Sequence, residues 1–163
     1  MFGPDTWAGN RGFRFLFLLR KVFLTRSSQR YWSQYGEDIV LDRVLNLKRP
    51  GFFVDVGCYH PVKYSNTYKL YRLGWRGINI DLDVIKIEAF NLRRPGDVNV
   101  VAAVSDTETT VPLCSTGFYT LTSSIDAETV AKLKERGQSM RFQEIRTRTL
   151  SSIVDGTAYK DRL

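Results

Sequence analysis

Apolar residues in this chain fall into short continuous runs, separated by stretches with helical spacing. Phe52 to Val56 is apolar except for Asp55. A short run without strict alternation is the pattern of a strand buried on both faces of a parallel sheet. Gly77 to Asp81 and Val98 to Val104 repeat it. Helical segments alternate with these runs. Glu37 and Asp38 suit the first turn of a helix, and Ile39, Val40, Val44, Leu45 and Leu47 then recur near helical spacing before Arg49-Pro50-Gly51 stops it. Ser65 or Asn66 can cap a helix carrying Leu70, Tyr71 and Leu73 and ending at Gly74. Val84 to Leu92 reads as a third, with Ile85, Ala89 and Leu92 on one side, and Pro95-Gly96-Asp97 turns the chain. The order α-β-α-β-α-β predicts an α/β fold with a parallel sheet and right-handed crossovers.

The flanks differ. Beyond this core, Thr110 to Leu113 and Arg141 to Thr149 read as strands, and Asp126 to Arg136 as a charged helix closed by Gly137. Before it, residues 11–30 carry Arg11, Arg14, Arg20, Lys21, Arg26 and Arg30 with no acid among them. The apolar run Phe15 to Leu19 is far shorter than the roughly 20 residues a spanning helix needs. It also lacks a small-residue cleavage site of the secretory kind. Two readings stand: a basic amphipathic helix lying peripherally on a membrane, or an N-terminal helix that packs on the domain or frays. The chain therefore divides into a basic N-terminal segment, 1–32, and an α/β domain, 33–163.

Composition narrows the classes. With 163 residues, 43% apolar and 25% charged, the chain has the make-up of one globular domain rather than a disordered segment. The net charge of +7 favours contact with phosphate, nucleic acid or anionic membrane without choosing among them. No recognised nucleic-acid motif accompanies the charge, so nucleic acid is not an expected partner. Cys58 and Cys114 make no disulfide framework and have no zinc-ligand spacing. Cytoplasmic placement, with or without peripheral membrane contact, is the expectation. His60 is the only histidine, which excludes a His-rich metal site, and no metal is expected.

Ligands of an open parallel sheet bind at the carboxyl ends of its strands. Asp55, Gly57, Asp81, Ser105 and Asp106 fall at such ends. Gly57 lets the backbone turn sharply and approach a ligand. Asp81 follows it at the spacing of roughly 20 residues that suits an acid gripping ribose hydroxyls. The dinucleotide fingerprint G-x-G-x-x-G would also need glycines at positions 59 and 62, which hold Tyr59 and Val62. A pyrophosphate cradle is not encoded. A cofactor with a ribose but no phosphate at that loop is expected, and S-adenosylmethionine fits, its positive ammonium and sulfonium suiting Asp55 as a neighbour. The competing reading is that Asp55 caps backbone amides.

The same residues resemble a known family. Ser33-Gln34-Tyr35-Gly36-Glu37-Asp38 is similar to the SQ-x-GED opening of FkbM-type methyltransferases. Asp55-Val56-Gly57-Cys58-Tyr59-His60-Pro61 with Ser65-Asn66-Thr67 resembles its DVGA-x-HP…SNT stretch. Leu70-Tyr71 and Gly74-Trp75-Arg76-Gly77-Ile78-Asn79-Ile80-Asp81 resemble LY…GW-x-GI-x-ID. Arg94-Pro95, Asp97 and Ala103-Val104-Ser105-Asp106 extend the likeness, which covers roughly residues 33 to 106. It implies a Rossmann-like, class I methyltransferase fold with a three-layer parallel sheet. It also implies S-adenosylmethionine as cofactor and O-methylation of a sugar, glycan or secondary-metabolite hydroxyl. Asp55 and Gly57 would line the methionine part, Asp81 would hold the ribose, and Ser105 and Asp106 would flank the adenine.

Leu82 stands where the family often has proline. Family members also continue past a segment like Thr149 to Ile153 into a strand bearing D-x-E-G, which this sequence does not reach. The sheet is therefore expected to be incomplete at the C-terminus, with Phe52 to Val56 on an open edge that an oligomer would cover. Methyl transfer to an alcohol needs alignment with the methyl carbon and removal of the hydroxyl proton. His60 is the candidate base, and its competing role is to shape the turn with Pro61. The alternative function is a shortened, inactive methyltransferase-like fragment or binding module.

Overall fold

A computed structural model describes residues 11–24, 31–45, 49–117, 124, 126–137 and 139–162. The contributions expected of Arg26, Arg30 and Leu47 lie outside these residues.

The chain opens with α1 (Arg11–Phe23) and α2 (Glu37–Leu45). The unit β1 (Phe52–Val56), α3 (Tyr68–Arg72), β2 (Arg76–Asp81), α4 (Val84–Arg93) and β3 (Val98–Val101) follows. β1, β2 and β3 form a parallel sheet in that order, with Val54 opposite Ile78 and Ile80 opposite Val100. The fold is thus α/β with parallel crossovers, as the alternation of runs predicts. The helix stops are chemically specific. α3 ends where Gly74 takes φ +90°. The Gly74 N–H bonds Tyr71 O at 3.1 Å and the Trp75 N–H bonds Leu70 O at 3.0 Å, a paired closure that a left-handed glycine permits. α4 begins where the Asp83 carboxylate accepts from the Ile85 N–H at 2.9 Å.

The two faces of this sheet are chemically unlike. Ile78 and Ile80 pack with Ala102, Ile153 and Val154, so one face rests on α6 (Leu150–Asp155), a helix the sequence pattern did not predict. The other face carries Asp55, Asn79 and Asn99 side by side in register. The Thr67 hydroxyl donates to Asp55 and the Asn79 amide donates to Asp97 and Asn99, while the Arg94 guanidinium reaches the row through Thr67. Pairing of this kind offsets the cost of burying polar groups, and among the described residues Asn79 Oδ1 is the buried atom of the row left without a partner.

Two departures from the sequence pattern have physical causes. The run Val98 to Val104 is not one strand. The Ala102 N–H still follows β2, bonding Asp81 O at 3.1 Å. Then β4 (Ala103–Val104) leaves to pair with β6 (Arg141–Arg148), which also pairs antiparallel with β5 (Thr110–Ser115). The charged helix α5 (Ala127–Glu135) lies between β5 and β6 in the chain. In α2 the apolar stripe faces outward: Val40, Val44 and Leu45 are exposed and Asp38 is buried. Asp38 turns inward because its carboxylate accepts from the Ser33 hydroxyl at 2.7 Å and the Trp32 N–H at 2.9 Å. α1 packs on α4, with Leu18 and Val22 against Ile85 and Ala89, and Leu92 partly buried beside them.

Candidate functional site

A cavity of about 240 Å³ opens at the carboxyl ends of the parallel strands. Gly57, Tyr59, Asp81, Lys86, Ala102 and Ala103 are among its walls. This is where an open parallel sheet is expected to receive a ligand. It is smaller than the roughly 300–1,000 Å³ typical of drug-sized ligand sites.

Gly57 follows β1 with φ +76°, and a Cβ built there would meet nothing within 4 Å. Backbone conformation rather than crowding therefore requires glycine. Its N–H bonds Ile80 O at 2.8 Å, holding the turn against the end of β2. Tyr59, two residues on, also has positive φ, at 50°. The sequence lacks the second fingerprint glycine there, yet the backbone keeps a glycine-like conformation, uncommon for so large a residue. Tyr64 shares it at φ 58°, and the two rings stack with centroids 6.3 Å apart.

Asp81 ends β2 and organises the wall. Its carboxylate accepts from the Tyr59 N–H at 3.2 Å and the Asp83 N–H at 2.9 Å. Lys86, in the first turn of α4, brings Nζ to 3.4 Å of Oδ1, with both side chains 5% exposed. The same Nζ lies 5.3 Å from the Tyr59 ring centre. A carboxylate offers about four lone-pair sites. The two amides and Lys86 occupy three of these, which leaves about one site for a further donor such as a ligand hydroxyl.

The remaining expected site residues stand elsewhere. Asp55 does not line the cavity. Its carboxylate accepts from the Thr67 hydroxyl at 2.6 Å. Burial raises its pKa, against the pull of Thr67 and Arg94. Ser105 and Asp106 follow the wall residue Val104 but are not part of the lining. The Ser105 N–H bonds Arg148 O at 3.0 Å, and its hydroxyl donates to Asp106 at 3.2 Å. His60 is 1% exposed and also lies outside the cavity lining. Its Nδ1 accepts from the Val62 and Lys63 amides at 3.0 and 2.9 Å, which makes Nε2 the protonated nitrogen, donating to Lys21 O at 3.3 Å. Burial holds its pKa down at about 4. This is the turn-shaping role, extended to anchoring α1. Cys58 is also buried, and burial raises its thiol pKa well above the ordinary value.

Tyr59, Lys86, Ala102 and Ala103 are among the wall residues that sequence reasoning missed. Lys86 carried a usable signal: a cation less than two turns beyond the strand-end acid can fold back over it. Ala102 carried none, because the break in the strand is not written in local pattern, and Ala103 carried only its place in the family-like stretch before Ser105. Among the described residues no group of three or more His, Cys, Asp or Glu can hold a metal ion. Among them, too, no helix is long and apolar enough to cross a membrane.

Fold and cavity together describe an α/β protein, consistent with a Rossmann-like fold in general, with a cavity at the ends of its parallel strands. No family model, curated protein or solved structure matches the chain.

Proposed function

We propose that this chain is an S-adenosylmethionine-binding domain of the FkbM methyltransferase type, serving O-methylation of a sugar, glycan or secondary-metabolite hydroxyl. The observation that carries the reading is the meeting of Gly57 and Asp81 in one cavity at the strand ends. The residue order that resembles the family supplies the cofactor class. Asp81 would take the ribose hydroxyls, and Gly57 would let the backbone approach the cofactor. When bound, S-adenosylmethionine supplies an electrophilic methyl group. The chain's own part is to orient the acceptor and exclude water at the cavity.

A specific observation favours a second reading, a cofactor-binding module without turnover. Both nitrogens of His60 are engaged within the fold, so it offers no base to an acceptor hydroxyl. Titration calorimetry with S-adenosylmethionine and its demethylated product tests the first step common to both readings. Saturable binding supports them. Absence of binding by the folded chain removes the cofactor assignment.

A further inference from the structure

Helix α1 carries apolar side chains on two faces. Leu18 and Val22 are buried against α4. Phe15, Leu16 and Phe23 are 54%, 66% and 54% exposed, and Leu24 just beyond is 73% exposed. At 3.6 residues per turn, Phe15, Leu16, Leu19 and Phe23 fall within one arc of about 100°. A surface helix normally turns charged and polar residues to water on that side. Here the exposed arginines Arg11 and Arg20 stand at the two borders of the apolar arc, and α1 contains no acid at all. More positive charge gathers near its C-terminal end. Arg93 lies 6.0 Å from the Phe23 ring centre. The His60 bonds to Lys21 O and the Lys63 N–H bring the exposed Lys63 loop to the same end.

We infer that the outward face of α1 is a docking surface for an anionic lipid bilayer. Charge complementarity selects this occupant. An apolar stripe bordered by arginines matches acyl chains below and anionic headgroups beside them. Folding has already fixed the helix through Leu18 and Val22, so docking does not have to order it. The geometry would lay α1 in the plane of the interface with the α/β domain above it. The inference does not depend on which cofactor the cavity takes.

Co-sedimentation of the full chain with vesicles tests it. Binding is expected to vesicles of phosphatidylcholine with phosphatidylserine, and to weaken as salt is raised. Each exposed arginine is expected to contribute about fivefold, so Arg11→Glu with Arg20→Glu should weaken binding by about 25-fold or more. Phe15→Ser, Leu16→Ser and Phe23→Ser together should abolish it. Unchanged circular dichroism would show that this variant is folded. A Leu16→Trp variant keeps the face apolar, and its fluorescence should shift to the blue on anionic vesicles alone. Failure of the folded full chain to bind, or binding that survives the triple serine variant, overturns the inference. So does a dimer in solution that the triple variant dissociates, since a second copy would then own the face.

Discussion

The Arg94 guanidinium donates from Nη1 to the Thr67 hydroxyl at 2.9 Å, and that hydroxyl donates in turn to Asp55 at 2.6 Å. Arg94 also donates from Nε to Pro61 O and from Nη2 to the Ser65 hydroxyl, both at 2.7 Å. One fully buried side chain thus ties the loop after β1 to the turn before β3. Burial lowers the Arg94 pKa to about 10, which leaves the group charged at neutral pH.

The first prediction concerns this clamp. Arg94→Lys replaces a planar fork by a single ammonium that cannot reach three separate acceptors. The loss of stability is expected to be about 3 kcal/mol, measured by urea denaturation. A loss under about 1 kcal/mol would mean that the loop holds without Arg94.

Much of the fold was legible because it is local. β1 and β2, helix α4 and the closure at Gly74 each follow from a few adjacent residues. The outward stripe of α2 was not legible, since Ser33 and Asp38 settle its orientation through a side-chain knot rather than through periodicity. Nor was the break at Ala102, which depends on β6 arriving from more than 40 residues later. The site was legible in part. Gly57 and Asp81 were read at the strand ends, and both line the cavity there. Ser65, Thr67, Arg94 and Asp97, which carried much of the family likeness, serve the buried clamp beneath it.

The second prediction follows from His60. Its folded pKa, about 4, lies below the ordinary 6.5 because burial disfavours the cation. A depressed folded pKa gives stability that is present above the unfolded pKa and lost as pH falls through the folded one. Between pH 6.5 and about 4 the native chain should lose about 3 kcal/mol relative to His60→Gln. Asp55 and Asp97 have folded pKa values raised by burial. Their contribution has the opposite sign, being greatest below the unfolded pKa and lost as pH rises. The difference between native chain and variant isolates His60. Urea titrations across this range check it, and a pH-independent difference would contradict the buried neutral imidazole.

The third prediction tests the Asp81–Lys86 pair. Lys86→Met leaves the nearly buried carboxylate with amide partners alone, at an expected cost of about 2–3 kcal/mol. Adding Asp81→Asn should recover a good part of that loss. A double-mutant cycle by chemical denaturation reads the coupling. Lys86→Met without any cost would show that the ion pair contributes nothing.

The fourth concerns Gly57, whose left-handed backbone faces open space. Gly57→Ala should cost about 1 kcal/mol through backbone conformation alone. Gly57→Asn should cost less, because asparagine tolerates that region better. Thermal unfolding of the two variants gives the order, and equal losses would place the cost in something other than φ.

The central claim is that S-adenosylmethionine enters the cavity at the strand ends. Amide chemical-shift mapping of the isotope-labelled chain tests it most directly. Titration is predicted to move Gly57, Tyr59, Asp81, Lys86, Ala102 and Ala103, and to leave the exposed α2 residues Val40 and Val44 in place. Asp81→Ala should weaken the binding at least several-fold. Shifts absent from those six residues, or an affinity unchanged in Asp81→Ala, would contradict the account.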